Sequence, residues 1–286
     1  MITYIFFRLF VFIFKITPFW VLYLQSDILF FMMYYIVGYR KKVVWKNIKN
    51  SFPEKTKAEL KKINKGFYKN LSDIFMESIK GLSMSKKTLL KRYKVIDAEI
   101  ADKYFDQNRS VIAVASHFAN WEWGVLCLSL QFKHKSVGLY KPMTNKYIDN
   151  YMKESRAAWG MHLLSIYETS KYIEIKNTEP SIYFMVADQS PAKSRQTIWI
   201  DFLNQDTACI NGPEKYAKQY NLPVVYGHIK RIKRGFYEFR TSLIEENPLE
   251  KESGEITKAY MQLLEKFIRE EPQNWLWSHN RWKKKR

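Results

Sequence analysis

A short apolar run, Val111 to Ala115, leads through Ser116 into His117. Such a run, closed by a polar turn, predicts a buried β-strand. Residues 121–131 are apolar enough to form a buried helix, and Asn120 has the side chain of an N-cap for it. His117 is therefore expected at the carboxyl end of a strand, with Glu122 in the first turn of the next helix. Binding crevices of α/β domains open at that end of the strands.

Strands and helices are predicted to alternate through the rest of the chain. This alternation favours an α/β fold: a mostly parallel mixed sheet flanked by helices, with an antiparallel hairpin late in the chain. The predicted strands are 135–140, 162–167, 181–187, 197–203, 224–232 and 236–244, and the predicted helices are 145–159, 168–177, 212–220 and 255–270.

The residues before this core show helical periodicity. Apolar residues recur at three- and four-residue spacing over 45–82, with a break at Pro53 and a stop at Gly81. Residues 85–107 are expected to form short helices or loops.

The amino-terminal 38 residues are strongly apolar. Residues 1–14 are interrupted by Thr3 and Arg8, and residues 16–37 by Pro18 and a polar triplet at 25–27. A spanning helix needs about 20 mostly apolar residues. Two membrane arrangements stay open: a single spanning helix interrupted by polar residues, and a shallow helical hairpin that lies in one leaflet. The alternative is a buried helical hairpin of a soluble protein. We expect an anchor over 1–38 and a domain over 39–286, made of a helical lead-in (39–107) and an α/β core (108–286).

The charge balance indicates an anionic partner. Lys and Arg number 47 against 28 Asp and Glu, a net charge of +19. Nucleic acid, anionic lipid and an acidic protein all fit such a charge, but the basic residues are spread along the chain rather than striped. The basic residues after position 38 mark the cytoplasmic side of an anchor. Two cysteines, Cys127 and Cys209, are too few for a disulfide framework and fit a reducing compartment.

His117 and Glu122 have the residue types of a general base. A carboxylate on the far ring nitrogen sets the tautomer of a histidine and stabilises its cation. A structural histidine that caps a turn is the alternative. The sequence contains no Gly-x-Ser-x-Gly elbow, P-loop or dinucleotide fingerprint, and no metal-ligand spacing near His117. A base without a nucleophile of the enzyme indicates that a hydroxyl of the substrate attacks.

The segment His117-Phe-Ala-Asn-Trp-Glu122 resembles the His-x4-Asp/Glu motif of the late acyltransferases of lipid A biosynthesis. Further blocks are similar in order and rough spacing over nearly the whole chain. These blocks are Tyr140-Lys141-Pro142 with Asn145 and Arg156, Asp188-Gln189, Gly212-Pro213-Glu214, and the terminal segment 274–282 with His279 and Arg281.

The resemblance implies an O-acyltransferase that moves a fatty acyl group from acyl carrier protein, or from coenzyme A, to a hydroxyl of a phosphorylated glycolipid. It implies the cytoplasmic face of a bacterial inner membrane, with no bound metal or cofactor and no nucleic-acid partner. His117 would be the base and Glu122 would hold its ring. The residues expected to bind substrate are Asn120, Lys141, Asn145, Arg156, Asp188, Gln189, His279 and Arg281.

Three alternatives stay open at this point. The acceptor could be a lysophospholipid or an aminolipid, or water could replace the acceptor in a lipid or thioester hydrolase. From another class, the chain could be a basic membrane or nucleic-acid binder without activity.

Overall fold

The computed structural model describes residues 2–175, 179–191 and 197–286. Its centre is a seven-stranded sheet of order β1-β9-β8-β2-β5-β3-β4, in which all neighbours are parallel except the antiparallel pair β8–β9. This confirms the predicted mixed α/β sheet and its late hairpin. The strands are β1 Tyr93–Ile96, β2 Val111–Ala115, β3 Lys135–Tyr140, β4 His162–Ser165, β5 Ser181–Val186, β6 Ile198–Phe202, β7 Gln205–Cys209, β8 Val224–Lys233 and β9 Phe236–Glu245.

Helices flank this sheet and precede it. They are α1 Ile2–Ile16, α2 Phe19–Phe31, α3 Lys41–Ser51, α4 Lys57–Gly81, α5 Lys86–Arg92, α6 Glu99–Asp106, α7 Trp121–Cys127, α8 Lys146–Ala157, α9 Thr169–Ile175, α10 Gly212–Tyr220 and α11 Glu255–Glu270. The break at Pro53 and the stop at Gly81 lie where predicted. The carboxyl end of the predicted helix 168–177 lies outside the described residues.

Strand β2 lies at the centre of the sheet, between β5 and β8. All five of its residues are buried, as expected for a strand covered on both faces. Gly227 of β8 faces the ring of Phe239, where an added Cβ would stand 2.0 Å from a ring carbon. The close contact between β8 and β9 therefore requires glycine at this position.

Two strands were not predicted. β1 is four residues long and pairs with β9, and β7 pairs with β6 in a separate two-stranded sheet. The β6–β7 turn is Leu203-Asn204, and both residues have positive φ, as in a type I′ hairpin. Polar residues such as Asp206 hide the strand pattern of β7 in the sequence.

The amino-terminal helices pack against the domain. Leu22, Ser26 and Phe30 of α2 are buried, and α2 lies along α4. A π-helical turn, Met32–Val37, extends α2. Among the described residues, Phe19–Val37 is one helix with the length and composition to cross a membrane.

Candidate active site

The register between β2 and β5 brings two polar side chains together. Ala115, the last residue of β2, pairs with Val186, the last residue of β5, and the backbone amide of Ala187 donates to the carbonyl of Ala115. His117 and Asp188 each follow two residues after their strand. Parallel pairing therefore places both side chains at the same edge of the sheet.

His117 and Asp188 form a short hydrogen-bonded pair. His117 Nδ1 lies 2.7 Å from Asp188 Oδ1, and the backbone amide of His117 donates to Asp188 Oδ2 at 3.0 Å. Burial disfavours the charged ring, but the charge and hydrogen bond of Asp188 outweigh burial and hold the pKa of His117 above its usual value. Burial would raise the pKa of Asp188, yet His117 and the bond from Trp275 keep it lowered. With Nδ1 on a carboxylate, Nε2 is the nitrogen that can accept a proton.

The other ring nitrogen of His117 faces the amide of Gln189. Gln189 Nε2 lies 3.3 Å from His117 Nε2, and the ring of Trp121 packs edge-on against the imidazole at 5.2 Å between centroids. The His117 side chain is 21% exposed, so a substrate can reach it.

Glu122 contacts a different partner from the predicted one. Its Oε2 accepts from Arg156 Nη2 at 2.8 Å, and its Oε1 accepts from Trp121 Nε1 at 3.1 Å. The carboxylate on the His117 ring is that of Asp188, although Glu122 lies near enough for its charge to favour the protonated ring. The sequence motif thus located His117, while the carboxylate that bonds its ring comes from the residues after β5.

The carboxyl-terminal segment closes the turn after β2. The amide of Leu276 donates to the carbonyl of His117, and the amide of Ala119 donates to the carbonyl of Asn274. These bonds hold Ala119 at φ 48°, a conformation that costs an alanine on the order of 1 kcal/mol. Trp275 Nε1 donates to Asp188 Oδ2 at 2.8 Å. The same segment therefore fixes both members of the pair.

His279 and Arg281 hold loops of the site together. His279 Nε2 accepts from the amide of Ser190 at 3.1 Å, and burial lowers the pKa of His279 to about 4, so the ring is neutral. Arg281 is buried and donates to the carbonyl of Ala208 at 2.6 Å. For Arg281 this corrects the predicted substrate contact, because a buried guanidinium bonded to β7 cannot reach a ligand.

Asn120 also differs from its predicted role. Its side chain is fully buried: Oδ1 caps α7 by accepting from the Trp123 amide at 3.0 Å, and Nδ2 donates to Glu77 Oε2 at 2.6 Å. The predicted N-cap is confirmed, and the buried amide bonds to the protein through both its oxygen and its nitrogen. Glu77 is a buried partner of Asn120 that the sequence did not indicate. Burial raises its pKa to about 7, and it also accepts from Tyr237 at 2.7 Å.

Lys141 and Asn145 lie on the exposed loop before α8. Asn145 Oδ1 accepts from the amides of Tyr147 and Ile148 and caps that helix. Lys141 is exposed. Arg156, in the last turn of α8, is the residue of this segment that reaches Glu122.

A cavity of about 470 Å³ is lined by Trp121, whose ring packs against His117. Its lining is apolar along α4 and α1, through Leu71, Phe75 and Phe7, and it also includes Glu122 and His279. A long hydrocarbon chain fits such a surface better than a polar ligand does. In the described ranges, no three His, Cys, Asp or Glu side chains are placed to share a metal ion.

Fold and site together define an α/β protein with a His–Asp pair at the carboxyl end of its central strand, beside an apolar cavity. Residues 1–284 match the family model described as bacterial lipid A biosynthesis acyltransferase. The chain is similar to a lipid A biosynthesis lauroyltransferase of Escherichia coli (strain K12), with 24% identity over 247 residues that cover 85% of this chain and 79% of the relative. The chain belongs to the family of bacterial lipid A biosynthesis acyltransferases. It is an acyltransferase, and its family implies a glycolipid acceptor and association with a membrane.

Proposed function

We propose that this protein transfers a fatty acyl group from acyl carrier protein to a hydroxyl of a lipid A precursor, with His117 as the general base. The observation that carries the proposal is the His117–Asp188 pair, 2.7 Å apart and beside an apolar cavity, in a chain that its family model covers. The site is proposed to face the cytoplasm, where acyl carrier protein is found.

The proton path follows from the tautomer that Asp188 sets. His117 Nε2 removes the proton of the acceptor hydroxyl, and the imidazolium that forms is stabilised by the Asp188 carboxylate on Nδ1. The alkoxide attacks the thioester carbonyl and forms a tetrahedral intermediate. Its collapse breaks the carbon–sulfur bond, and the departing thiolate takes the proton back from His117. The products are an ester and the free thiol of the carrier.

Glu122 and Arg156 are proposed to hold the acceptor rather than the base. Glu122 lines the cavity and pairs with Arg156 at 2.8 Å, and the two side chains are 27% and 19% exposed. A guanidinium suits a phosphate group of a glycolipid. The charge of Glu122 adds to that of Asp188 in favouring protonated His117.

The donor is proposed from charge. Acyl carrier protein is acidic, and a net charge of +19 speeds the encounter with an acidic partner. Coenzyme A is the competing donor, and its phosphate groups are also anionic, so the experiment below compares the two donors directly.

An experiment with two donors and two acceptors tests the proposal. Purified protein is given a radiolabelled fatty acyl group, carried either by acyl carrier protein or by coenzyme A. The acceptor is either a phosphorylated glycolipid or a lysophospholipid. We expect label in the glycolipid, from the carrier protein, at a rate at least tenfold above the other three combinations. Label in free fatty acid alone would identify a hydrolase, and preferred acylation of the lysophospholipid would overturn the acceptor.

A further inference from the structure

The helix Phe19–Val37 has the length of a membrane span, yet its packing is that of a surface helix. Tyr23 donates to Glu77 at 2.9 Å, Ser26 donates to Asp73 at 2.6 Å, and the Tyr34 ring packs against Tyr68 at 5.3 Å. As the residue number rises along this helix, the residue number of its partner on α4 falls. The helix therefore lies antiparallel against α4 over most of its length.

Helix α4 is polar and belongs to the domain. Lys61, Lys62, Lys65 and Lys69 are exposed along it, and Lys69 Nζ lies 5.6 Å from the centre of the Phe30 ring. A helix fastened along α4 could cross a bilayer only by taking these ammonium groups into the hydrocarbon, where charged side chains are costly.

The middle of the candidate span is also held by charge. Asp27, nine residues into it, accepts from Arg234 at 2.7 Å, and Arg234 bonds Asp73 of α4 as well. Arg231 makes a second ion pair with Asp73. These bonds join α2, α4 and the β8–β9 hairpin into one unit.

Helix α1 is fastened in the same way. Lys80 Nζ donates to the carbonyls of Phe14, Lys15 and Thr17 at 2.7 to 2.9 Å and so caps the carboxyl end of α1. Arg8 lies over the ring of Tyr151 on α8. Neither amino-terminal helix therefore stands away from the domain.

The outward face of both helices is apolar. Large side chains between 42% and 72% exposed form this face, which we call the leaflet face: Phe6, Leu9, Phe10, Phe12, Ile13 and Ile16 of α1, Trp20, Leu24, Ile28 and Phe31 of α2, and Met32, Tyr35, Ile36 and Val37 beyond. Exposed apolar surface of this extent on a soluble monomer marks an interaction site. The cationic residues Lys15, Arg40, Lys41 and Lys42 adjoin it in the chain, as anionic headgroups require.

We propose that the leaflet face lies in the plane of one leaflet of an anionic bilayer and that Phe19–Val37 does not span the membrane. The cavity is lined by Phe7 of α1, which adjoins Phe6 of this face in the chain, by exposed Phe75 of α4, and by Trp121, whose ring packs against His117. A lipid would thus enter the cavity laterally from the bilayer, and its acyl chains would stay at the level of the hydrocarbon region. The inference goes beyond the proposed donor and acceptor and holds for any lipid substrate.

Depth measurements along α2 test the proposal. Cys127 and Cys209 are buried, so single cysteines placed on the leaflet face can be spin-labelled selectively. The variants Trp20→Cys, Leu24→Cys, Ile28→Cys and Phe31→Cys change exposed positions and leave the core intact. In vesicles of phosphatidylethanolamine and phosphatidylglycerol, depth is read from the ratio of oxygen to nickel-chelate accessibility.

The two arrangements give different depth profiles. Eleven residues separate positions 20 and 31, which is about 16 Å along a helix axis. An in-plane helix places all four labels at one shallow depth within a few ångströms, whereas a spanning helix gives a graded series over about 16 Å. Lys61→Cys on α4 is the matched aqueous control. A graded series, four water-exposed labels, or a buried control label would each overturn the proposal, and none of them bears on acyl transfer.

Discussion

Replacing Asp188 by Asn tests the proposed catalytic pair most selectively. Asp188 Oδ2 accepts from the His117 amide and from Trp275 Nε1, so the single oxygen of an Asn side chain would take that position. Its NH₂ group would then face His117 Nδ1. The ring nitrogen must become an acceptor, the proton moves to Nε2, and the nitrogen that faces the substrate can no longer act as a base.

The size of the effect follows from the geometry. Two unit charges 2.7 Å apart attract by about 6 kcal/mol at an effective dielectric constant of about 20, an upper limit for the stabilisation of imidazolium by Asp188. The same substitution in a serine-protease triad lowers kcat by about 10⁴. We therefore expect kcat to fall about 10³- to 10⁴-fold, or about 4 to 5.5 kcal/mol at 1.36 kcal/mol per tenfold.

The pH dependence supplies a second readout. Asp188 raises the pKa of His117, so the wild-type rate should climb with pH as the ring loses its proton, with a midpoint above the usual histidine value. In Asp188→Asn the pKa of His117 falls, and the midpoint moves to lower pH.

The assay is single-turnover acyl transfer between pH 5 and pH 9. Asp102→Asn is the matched control, because it changes a carboxylate whose Oδ1 lies 3.7 Å from the buried ring of a different histidine, His134. The control should keep its rate within about threefold. An Asp188→Asn rate within tenfold of wild type, or an unmoved midpoint, would refute the reasoning.

Three further substitutions separate binding from stability. Arg156→Lys keeps the positive charge but removes the two parallel N–H donors of the guanidinium. The KM for a phosphorylated acceptor should therefore rise about tenfold in steady-state kinetics, with kcat nearly unchanged. Gly227→Ala places a Cβ 2.0 Å from Phe239 and should cost about 3 kcal/mol in chemical denaturation, at unchanged KM. His279→Phe removes the acceptor of the Ser190 amide, so we expect a loss of about 1 to 3 kcal/mol in stability and less than tenfold in kcat; a loss as large as that of Asp188→Asn would assign His279 to the chemistry.

Periodicity located most of the fold. Strand β2 and helix α11 lie where the sequence predicted them because each buries an apolar pattern, and the Asn120 cap does because its side chain can accept from the first turn of α7. Strands β1 and β7 escaped prediction because they are short and polar and depend on distant partners: β1 on β9 at the sheet edge, and β7 on β6 through a two-residue turn.

The candidate site was predictable only in part, for a related reason. The distance along the chain from His117 to Glu122 is visible in the sequence, but the pairing of β2 with β5 is not, and that pairing brings Asp188 to the His117 ring. Polar residues that stand two positions after the ends of neighbouring parallel strands lie close together. Applied to β2 and β5, this rule would have suggested the pair. The buried bonds of Arg281 depend on how the carboxyl-terminal segment folds back over the domain, which no local pattern records.

The central claim is that His117 removes the proton of the acceptor hydroxyl. Its most direct test is single-turnover transfer of a labelled acyl group from acyl carrier protein to a phosphorylated glycolipid, by wild type and by His117→Ala in the same vesicles. The account predicts labelled glycolipid with wild type and a rate at least 10³-fold lower with the variant, at unchanged donor binding. Transfer by His117→Ala at the wild-type rate would contradict it.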